Sequence, residues 1–291
     1  MQQLQIENCH RDEIDLLTLA LEATTALSVT FTDKHDCPIL EPELGTTPLW
    51  PNVVVQALFE EKEDAKDAAM RLLAGYPHLS YSIETLPEQD WERVCMQDFK
   101  PQRFGERLWI CPTWLTPPEP DAVNLILDPG LAFGTGTHPT TFLCLTWLEQ
   151  AALENLRVID YGCGSGILAL AALKLGALHV DAVDIDQQAL TATKSNAIDN
   201  HISDSRLTVN FPEALTAPAD LLIANILLTP LVNLESRFYE LLHNEGTLVV
   251  SGLLKEQAQE LIDAYRTHFT LASSTYHDGW ALLVFKALKA I

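Results

Sequence analysis

The length, composition and charge of this chain exclude several classes of protein. With 291 residues, 47% of them hydrophobic and 20% charged, the chain can bury a sizeable core and is long enough for two modest domains. Its formal net charge of −22 repels phosphate backbones and anionic lipid, so we expect no direct binding of nucleic acid or membrane. A basic partner is favoured, although acidity can also serve solubility alone.

The cysteines and the N-terminal segment indicate where the protein works. The six cysteines are scattered without CxxC pairs, so neither a zinc site nor a disulfide framework is indicated. The N-terminus has early acidic residues and no apolar run, and no stretch of the chain reaches the length needed to cross a bilayer. We expect a cytoplasmic protein that acts as a monomer.

The first hundred residues are predicted to form a ferredoxin-like domain. Their hydrophobic spacing gives the order strand, helix, strand, strand, helix, strand. The predicted strands are residues 4–6, 27–31, 53–59 and 79–83, and the predicted helices are residues 11–24 and 64–74, the second ended by Gly75.

A proline-rich stretch separates this domain from the next. Five prolines between residues 101 and 120 interrupt any long helix or central strand. Because the stretch also contains apolar and aromatic side chains, we expect it to pack against one or both domains. We therefore divide the chain into an N-terminal domain, 1–98, a junction, 99–118, and a second domain, 119–291.

The second domain is predicted to be doubly wound α/β. From residue 123 onward, strands alternate with longer helices, which is typical of a parallel sheet built of βαβ units. The predicted strands are residues 157–160, 179–183, 206–210, 221–224, 247–251 and 281–285.

The strongest single motif is RVIDYGCGSGILALAA, residues 157–172, where a strand runs through a glycine-rich turn into a helix. Gly162, Gly164 and Gly166 allow a sharp turn and a close approach of a ligand to the backbone. The spacing differs from the dinucleotide fingerprint GxGxxG, and Asp160 beside the turn disfavours phosphate. Both features favour S-adenosylmethionine, which has an ammonium and a sulfonium and no phosphate.

Two acidic residues follow the next strand. Asp184 is placed where a carboxylate can accept hydrogen bonds from both hydroxyls of a ribose. Asp186 is predicted to cap the helix that begins at Gln187.

A second glycine-rich run lies upstream, LDPGLAFGTGTHPTT at residues 127–141, before a helix predicted at 142–148. A plain loop with a threonine N-cap is one interpretation. Two glycine-rich turns before two helices are better explained by one shared ligand. His138 has no accompanying cluster of metal-binding residues, so metal chemistry is disfavoured.

Asn225 follows the fourth strand of the predicted sheet, at the edge where ligands bind in parallel sheets. Its amide can both accept and donate hydrogen bonds, so it can orient a nucleophilic nitrogen. Asn225 is therefore the catalytic candidate. A helix N-cap is the alternative, because Pro230 follows closely.

Four motifs together resemble those of the ribosomal protein methyltransferase family often called PrmA, whose substrate is the eleventh protein of the large ribosomal subunit. They are LDPGLAFGTGTHPTT, VIDYGCGSGILALAALKLGA, VDIDQQAL and ANIL, in the family's order and spacing. The resemblance covers the whole chain. It implies a class I methyltransferase domain behind a small ferredoxin-like domain that recognises the substrate.

The same resemblance implies the reaction and the site. It implies that S-adenosylmethionine is the cofactor and that methyl groups pass to lysine ε-amino and N-terminal α-amino groups of the ribosomal protein. The implied cofactor contacts are Thr141, Gly162, Asp184 and Asn225, with Phe133, Gly134 and Gly164 in the same pocket.

Other functions stay open at this point. The cofactor half could serve a methyltransferase for another protein or for a small molecule, which would hardly require the N-terminal domain. A nicotinamide-dependent dehydrogenase is disfavoured by the Gly-Cys-Gly-Ser-Gly turn. A non-catalytic ribosome assembly factor that keeps the cofactor pocket is the alternative outside enzymes.

Overall fold

The computed structural model describes residues 1–35, 39, 46–87, 99–127, 136 and 138–288. The chain divides into two compact units, Met1–Val94 and Cys95–Ile291. Within the described ranges, no helix is both long and apolar enough to span a membrane.

The first unit is a small α+β domain. Its elements are β1 (Gln2–His10), α1 (Ile14–Glu22), β2 (Ser28–Asp33), β3 (Asn52–Phe59), α2 (Lys62–Gly75) and β4 (Ser80–Thr85). The strands pair antiparallel in the order β2-β3-β1-β4. This is the ferredoxin-like arrangement, so the prediction for this part of the chain is confirmed.

The hydrophobic spacing explains how the helices pack on this sheet. α1 buries Ile14, Leu17 and Leu21, which share one face of the helix. α2 buries mainly alanines, whose small side chains let the helix lie close to the strands. The opposing side chains, including Leu4 and Ile6, occupy alternate positions of β1, as the period of a strand requires.

The described residues of the second unit form two sheets and the helices that cover the larger one. The three-stranded sheet contains β5 (Gln102–Phe104), β6 (Leu108–Pro112) and β7 (Val123–Leu127). The seven-stranded sheet contains β8 (Arg157–Tyr161), β9 (His179–Val183), β10 (Leu207–Asn210), β11 (Ala219–Asn225), β12 (Leu242–Leu254), β13 (Phe269–His277) and β14 (Trp280–Ala287). The helices are α3 (Pro139–Gln150), α4 (Ile167–Lys174), α5 (Gln187–Asp199), α6 (Leu228–Asn233), α7 (Glu235–Glu240) and α8 (Ala258–Tyr265).

The large sheet is doubly wound, as predicted. Its strand order is β10-β9-β8-β11-β12-β14-β13, in which β8 to β12 run parallel and β14 is antiparallel to both neighbours. Alternate residues of β11 enter different cores: Leu221 and Ile223 pack with α3, α4 and α5, whereas Leu222 and Ala224 pack with α6, α7 and α8. The chain order reverses between β8 and β11, and ligands bind beside such a switch point in open α/β sheets.

Several strands were not predicted. β5 and β6 lie in the proline-rich stretch, and Phe104, Leu108 and Ile110 belong to the core of the second unit. β13 has mostly exposed residues, so it lacks a hydrophobic pattern. It is held by backbone pairing to β14 through a tight turn at Asp278 and Gly279, both with positive φ, a backbone conformation favoured in two-residue hairpins.

The buried face of α5 and the residue that follows the helix bond to the glycine-rich turn after β8 and to β7. Thr193 Oγ1 donates to Gly164 O at 3.0 Å, and Asn196 Nδ2 donates to Ser165 O at 2.8 Å, both in the turn after β8. Just beyond the end of α5, Asn200 Oδ1 accepts from Ile126 N at 2.8 Å, and its Nδ2 donates to Ile126 O. Asn200 thereby pairs with β7, the strand that leads into the upstream run, in the manner of a neighbouring strand.

Replacing Asn200 tests this connection. Asn200→Ala should lower the free energy of unfolding by about 1–3 kcal/mol, because both backbone groups of partly buried Ile126 lose their partner. Asp199→Ala, at the adjacent exposed position, is the matched control and should change it by less than about 0.5 kcal/mol. Urea unfolding measures both, and equal stabilities of the two variants would contradict the role given to Asn200.

Candidate functional site

The turn after β8 brings bare backbone to the carboxyl edge of the large sheet. Gly162, Gly164 and Gly166 have φ of 83°, 54° and 82°, in the left-handed region that favours glycine. A Cβ on Gly162 would lie 2.4 Å from Ile226 Cγ2, and a Cβ on Gly166 would lie 2.8 Å from Thr193 Cγ2. Side chains at these two positions would therefore collide with their neighbours.

The N–H groups of Gly162, Cys163, Gly164 and Gly166 in this turn are bonded within the protein. Gly162 N and Cys163 N both donate to Val183 O, at 2.8 and 3.0 Å, and Gly166 N donates to Cys163 O at 2.8 Å. Gly164 N donates to Asp184 Oδ2 at 2.9 Å. A pyrophosphate needs free N–H groups at such a turn, so the hydrogen bonding argues against a dinucleotide ligand.

Asp184 lies directly after β9 and fixes this turn. Besides the bond from Gly164, its Oδ1 accepts from Asp186 N at 3.0 Å, and the residue is only partly buried. Each carboxylate oxygen can accept a second hydrogen bond, so ribose hydroxyls can still bind there. Asp186 is the N-cap of α5 and accepts from Gln188 N at 2.8 Å, which confirms the cap prediction.

Asn225 is the last residue of β11 and lies beside the first turn of α3. Its Nδ2 donates to Thr141 Oγ1 at 3.4 Å, across 84 residues of sequence. Its Oδ1 is buried and has no hydrogen-bond partner among the described residues. The N-cap of α6 is Leu227, so the alternative of a capping role for Asn225 is wrong.

The N-terminus of α3 also differs from one interpretation of the sequence. The N-cap is His138, whose side chain accepts from Thr140 N, and Pro139 occupies the first helical position. The alternative of a threonine N-cap is therefore wrong. Phe133 and Gly134, which the resemblance places in the cofactor pocket, lie outside the described residues.

Asp160 is a buried carboxyl beneath the glycine turn. It is 0% exposed, its Oδ2 accepts from Ala169 N at 2.9 Å, and its Oδ1 has no partner within the described part of the chain. Burial raises the pKa of Asp160 from its ordinary 3.8 to about 7; the hydrogen bond from Ala169 opposes this rise and the charge of Asp184 adds to it. The site thus holds a carboxyl group whose charge the described residues leave uncompensated.

Aromatic side chains pack between the first turns of α3 and the β13–β14 turn. The ring centroid of Trp280 lies 4.7 Å from that of His138, and the ring of His277 lies 4.7 Å from that of Phe142. A cavity of about 300 Å³ lies among Phe104, Phe142, His277 and their neighbours. This group was not predicted, because its members come from distant elements and belong to no local motif.

The strand order, in which the antiparallel strand β14 lies between β12 and β13, is that of a class I methyltransferase domain. The turn at the switch point, which is lined by hydrogen-bond acceptors, fits the same class. The chain belongs to the ribosomal protein L11 methyltransferase (PrmA) family, because the family model matches residues 1–288. The resemblance seen in the sequence is thereby confirmed.

Relatives of the chain match it over nearly its whole length. The ribosomal protein L11 methyltransferase of Legionella pneumophila (strain Philadelphia 1) is 62% identical over 283 residues, 97% of this chain and 98% of the relative. That of Shewanella sp. (strain ANA-3) is 48% identical over 290 residues, 98% of each chain. A crystal structure of ribosomal protein L11 methylase from Lactobacillus delbrueckii subsp. bulgaricus is 32% identical, with a TM-score of 0.61 over 66% of this chain and 100% of that chain.

The raised pKa of Asp160 predicts a pH dependence of stability. The folded chain without ligand keeps the proton up to about pH 7, whereas the unfolded chain releases it near 3.8. The folded state therefore binds more protons between these values, and its stability should fall as the pH rises through this window, at most by about 1.4 kcal/mol per pH unit.

Asp160→Asn keeps the acceptor for Ala169 and removes the charge. Urea unfolding between pH 5 and pH 8 should show a smaller loss of stability in this variant than in the wild type, measured without ligand. Parallel pH profiles for the two proteins would show that Asp160 does not titrate in this range.

Proposed function

We propose that this protein transfers methyl groups from S-adenosylmethionine to amino groups of the eleventh protein of the large ribosomal subunit, at lysine ε-amino and N-terminal α-amino positions. The observation that carries the proposal is the set of acceptors at the switch point. Asp160 Oδ1, Asn225 Oδ1 and the carboxylate of Asp184 favour a ligand that has hydroxyls and positive charge. The family membership supports the same conclusion.

The residues at the turn fit the cofactor. Asp184 would accept from the ribose hydroxyls, and the backbone of Gly162 and Gly164 would lie against the ligand because it has no side chains there. Asp160 would compensate the positive charge of the methionine end, and Thr141 would border that end through its contact with Asn225. Phe133 and Gly134 stay predicted members of the same pocket. When bound, the cofactor supplies an activated methyl carbon.

Asn225 is the residue that we assign to the target amine. Its Nδ2 is engaged by Thr141, which fixes the amide so that Oδ1 can accept from an N–H of the nucleophile. An amine oriented this way presents its lone pair in line with the methyl carbon. The amine must first release a proton to water, and a desolvated site next to a cation lowers the pKa of the amine so that it can do so. We assign no general base.

The charge of the chain supports part of the proposed setting of the enzyme. A net charge of −22 favours a basic protein substrate and opposes direct contact with RNA. We further infer that the protein acts in the cytoplasm, as a monomer.

A labelling experiment tests the reaction and the substrate together. The enzyme is incubated with labelled S-adenosylmethionine and ribosomal proteins from a strain that lacks this activity, and the products are analysed by mass spectrometry. We expect mass gains in multiples of one methyl group on one large-subunit protein, at amino groups. Label on RNA, on a small molecule, or on no component would contradict the proposal.

Variants of Asn225 and Asp184 should separate alignment from cofactor binding. Asn225→Ala should lower kcat about 10²-fold with a smaller change in cofactor affinity, because a misplaced amine reacts slowly.

Asp184→Ala should weaken cofactor binding by about 1–3 kcal/mol, the cost of leaving polar groups unpaired. Calorimetry and saturating kinetics measure the two effects, and a wild-type kcat for Asn225→Ala would remove Asn225 from the reaction.

A further inference from the structure

The negative charge of the chain is concentrated in the first unit. Met1–Val94 contains 18 acidic and 6 basic residues, a formal net charge of −12 out of the total of −22. The remaining 197 residues therefore account for −10. The unit without the glycine turns thus has the higher density of negative charge, which is what a surface for a basic partner requires.

Helix α1 has an apolar face on each side. Ile14, Leu17 and Leu21 lie in the core of the first unit. On the opposite face Leu16 is 59% exposed and Leu19 is 63% exposed. These two leucines lie three residues apart and are therefore neighbours on the helix surface.

Small residues extend this second face. Ala20 and Ala23 are also exposed and share the face with the leucines, at helical spacing. We call Leu16, Leu19, Ala20 and Ala23 the outer ridge of α1. The core of the unit does not need the ridge, because the other face of α1 already supplies its buried side chains.

Acidic residues border the outer ridge. Asp15 and Glu22 of α1, and Asp12 just before the helix, are exposed. At helical spacing these acidic residues lie beside the outer ridge. Residues 12–27 contain neither lysine nor arginine. An apolar ridge beside carboxylates is complementary to a partner that has an apolar patch beside lysines or arginines.

We infer that the outer ridge of α1 is the docking surface for the protein substrate, and this inference rests on the proposed function. Ribosomal proteins bind an anionic backbone and are rich in lysine and arginine, so their charge complements the border of the ridge. A second copy of this chain is disfavoured as the occupant, because two units of −12 repel each other.

The first test replaces the ridge by charge. Leu16→Lys combined with Leu19→Lys should raise KM for the unmethylated ribosomal protein at least about tenfold, a change worth about 1.4 kcal/mol, and leave kcat at saturation and cofactor affinity unchanged. Met70→Lys, at a leucine-sized residue of α2 that is 57% exposed, is the matched control and should keep the wild-type KM. A wild-type KM for the double variant would overturn the inference.

The second test removes charges from the acidic residues beside the outer ridge and leaves the packing of α1 unchanged. Asp15→Asn combined with Glu22→Gln should raise KM and make it less sensitive to salt than in the wild type. An unchanged salt dependence would contradict docking at the ridge. If the wild-type enzyme fails to methylate the ribosomal protein at all, the proposed function fails; if only the variants behave as wild type, the docking surface alone is wrong.

Discussion

The site depends on a buried set of hydrogen bonds that join α5 and the residue just beyond it to the glycine-rich turn after β8 and to β7. Thr193 and Asn196 of α5 bond to the backbone of the glycine-rich turn, and Asn200, just beyond the helix, bonds to Ile126 of β7. A buried amide without a partner is costly, so these hydrogen bonds favour the packing of α5 with the turn and β7 in this arrangement. The fold of the second unit and the geometry of the site are therefore established together.

The same region contains a buried carboxyl group that is electrostatically unfavourable. Asp160 is enclosed by the core, and its Oδ1, which has no hydrogen-bond partner among the residues that the structure describes, lies beneath the glycine-rich turn. A buried carboxyl in this position destabilises the folded chain once it is ionised. An unfavourable buried charge of this kind is typical of functional sites, where a ligand of opposite charge compensates it.

With the proposed function and the inferred docking surface, substrate recognition and methyl transfer are assigned to different units. The first unit has the higher charge density and an exposed apolar ridge, whereas the second holds the glycine turns, Asp184 and Asn225.

The sequence by itself determined the positions of the motifs and of the elements with a clear hydrophobic pattern, because local hydrophobic spacing reports which residues of a strand or helix are buried. It placed Asp184 and Asn225 at strand ends, and the strand order bears this out. The sequence could not predict β13, whose exposed residues follow no hydrophobic pattern, or the aromatic group of Phe142, His277 and Trp280. Only the tertiary structure decided that Asn225 contacts Thr141, that Asn196 bonds to the glycine-rich turn and that Asn200 bonds to β7. Contacts between residues distant in sequence are set by strand order and helix packing, which leave no local signal in the sequence.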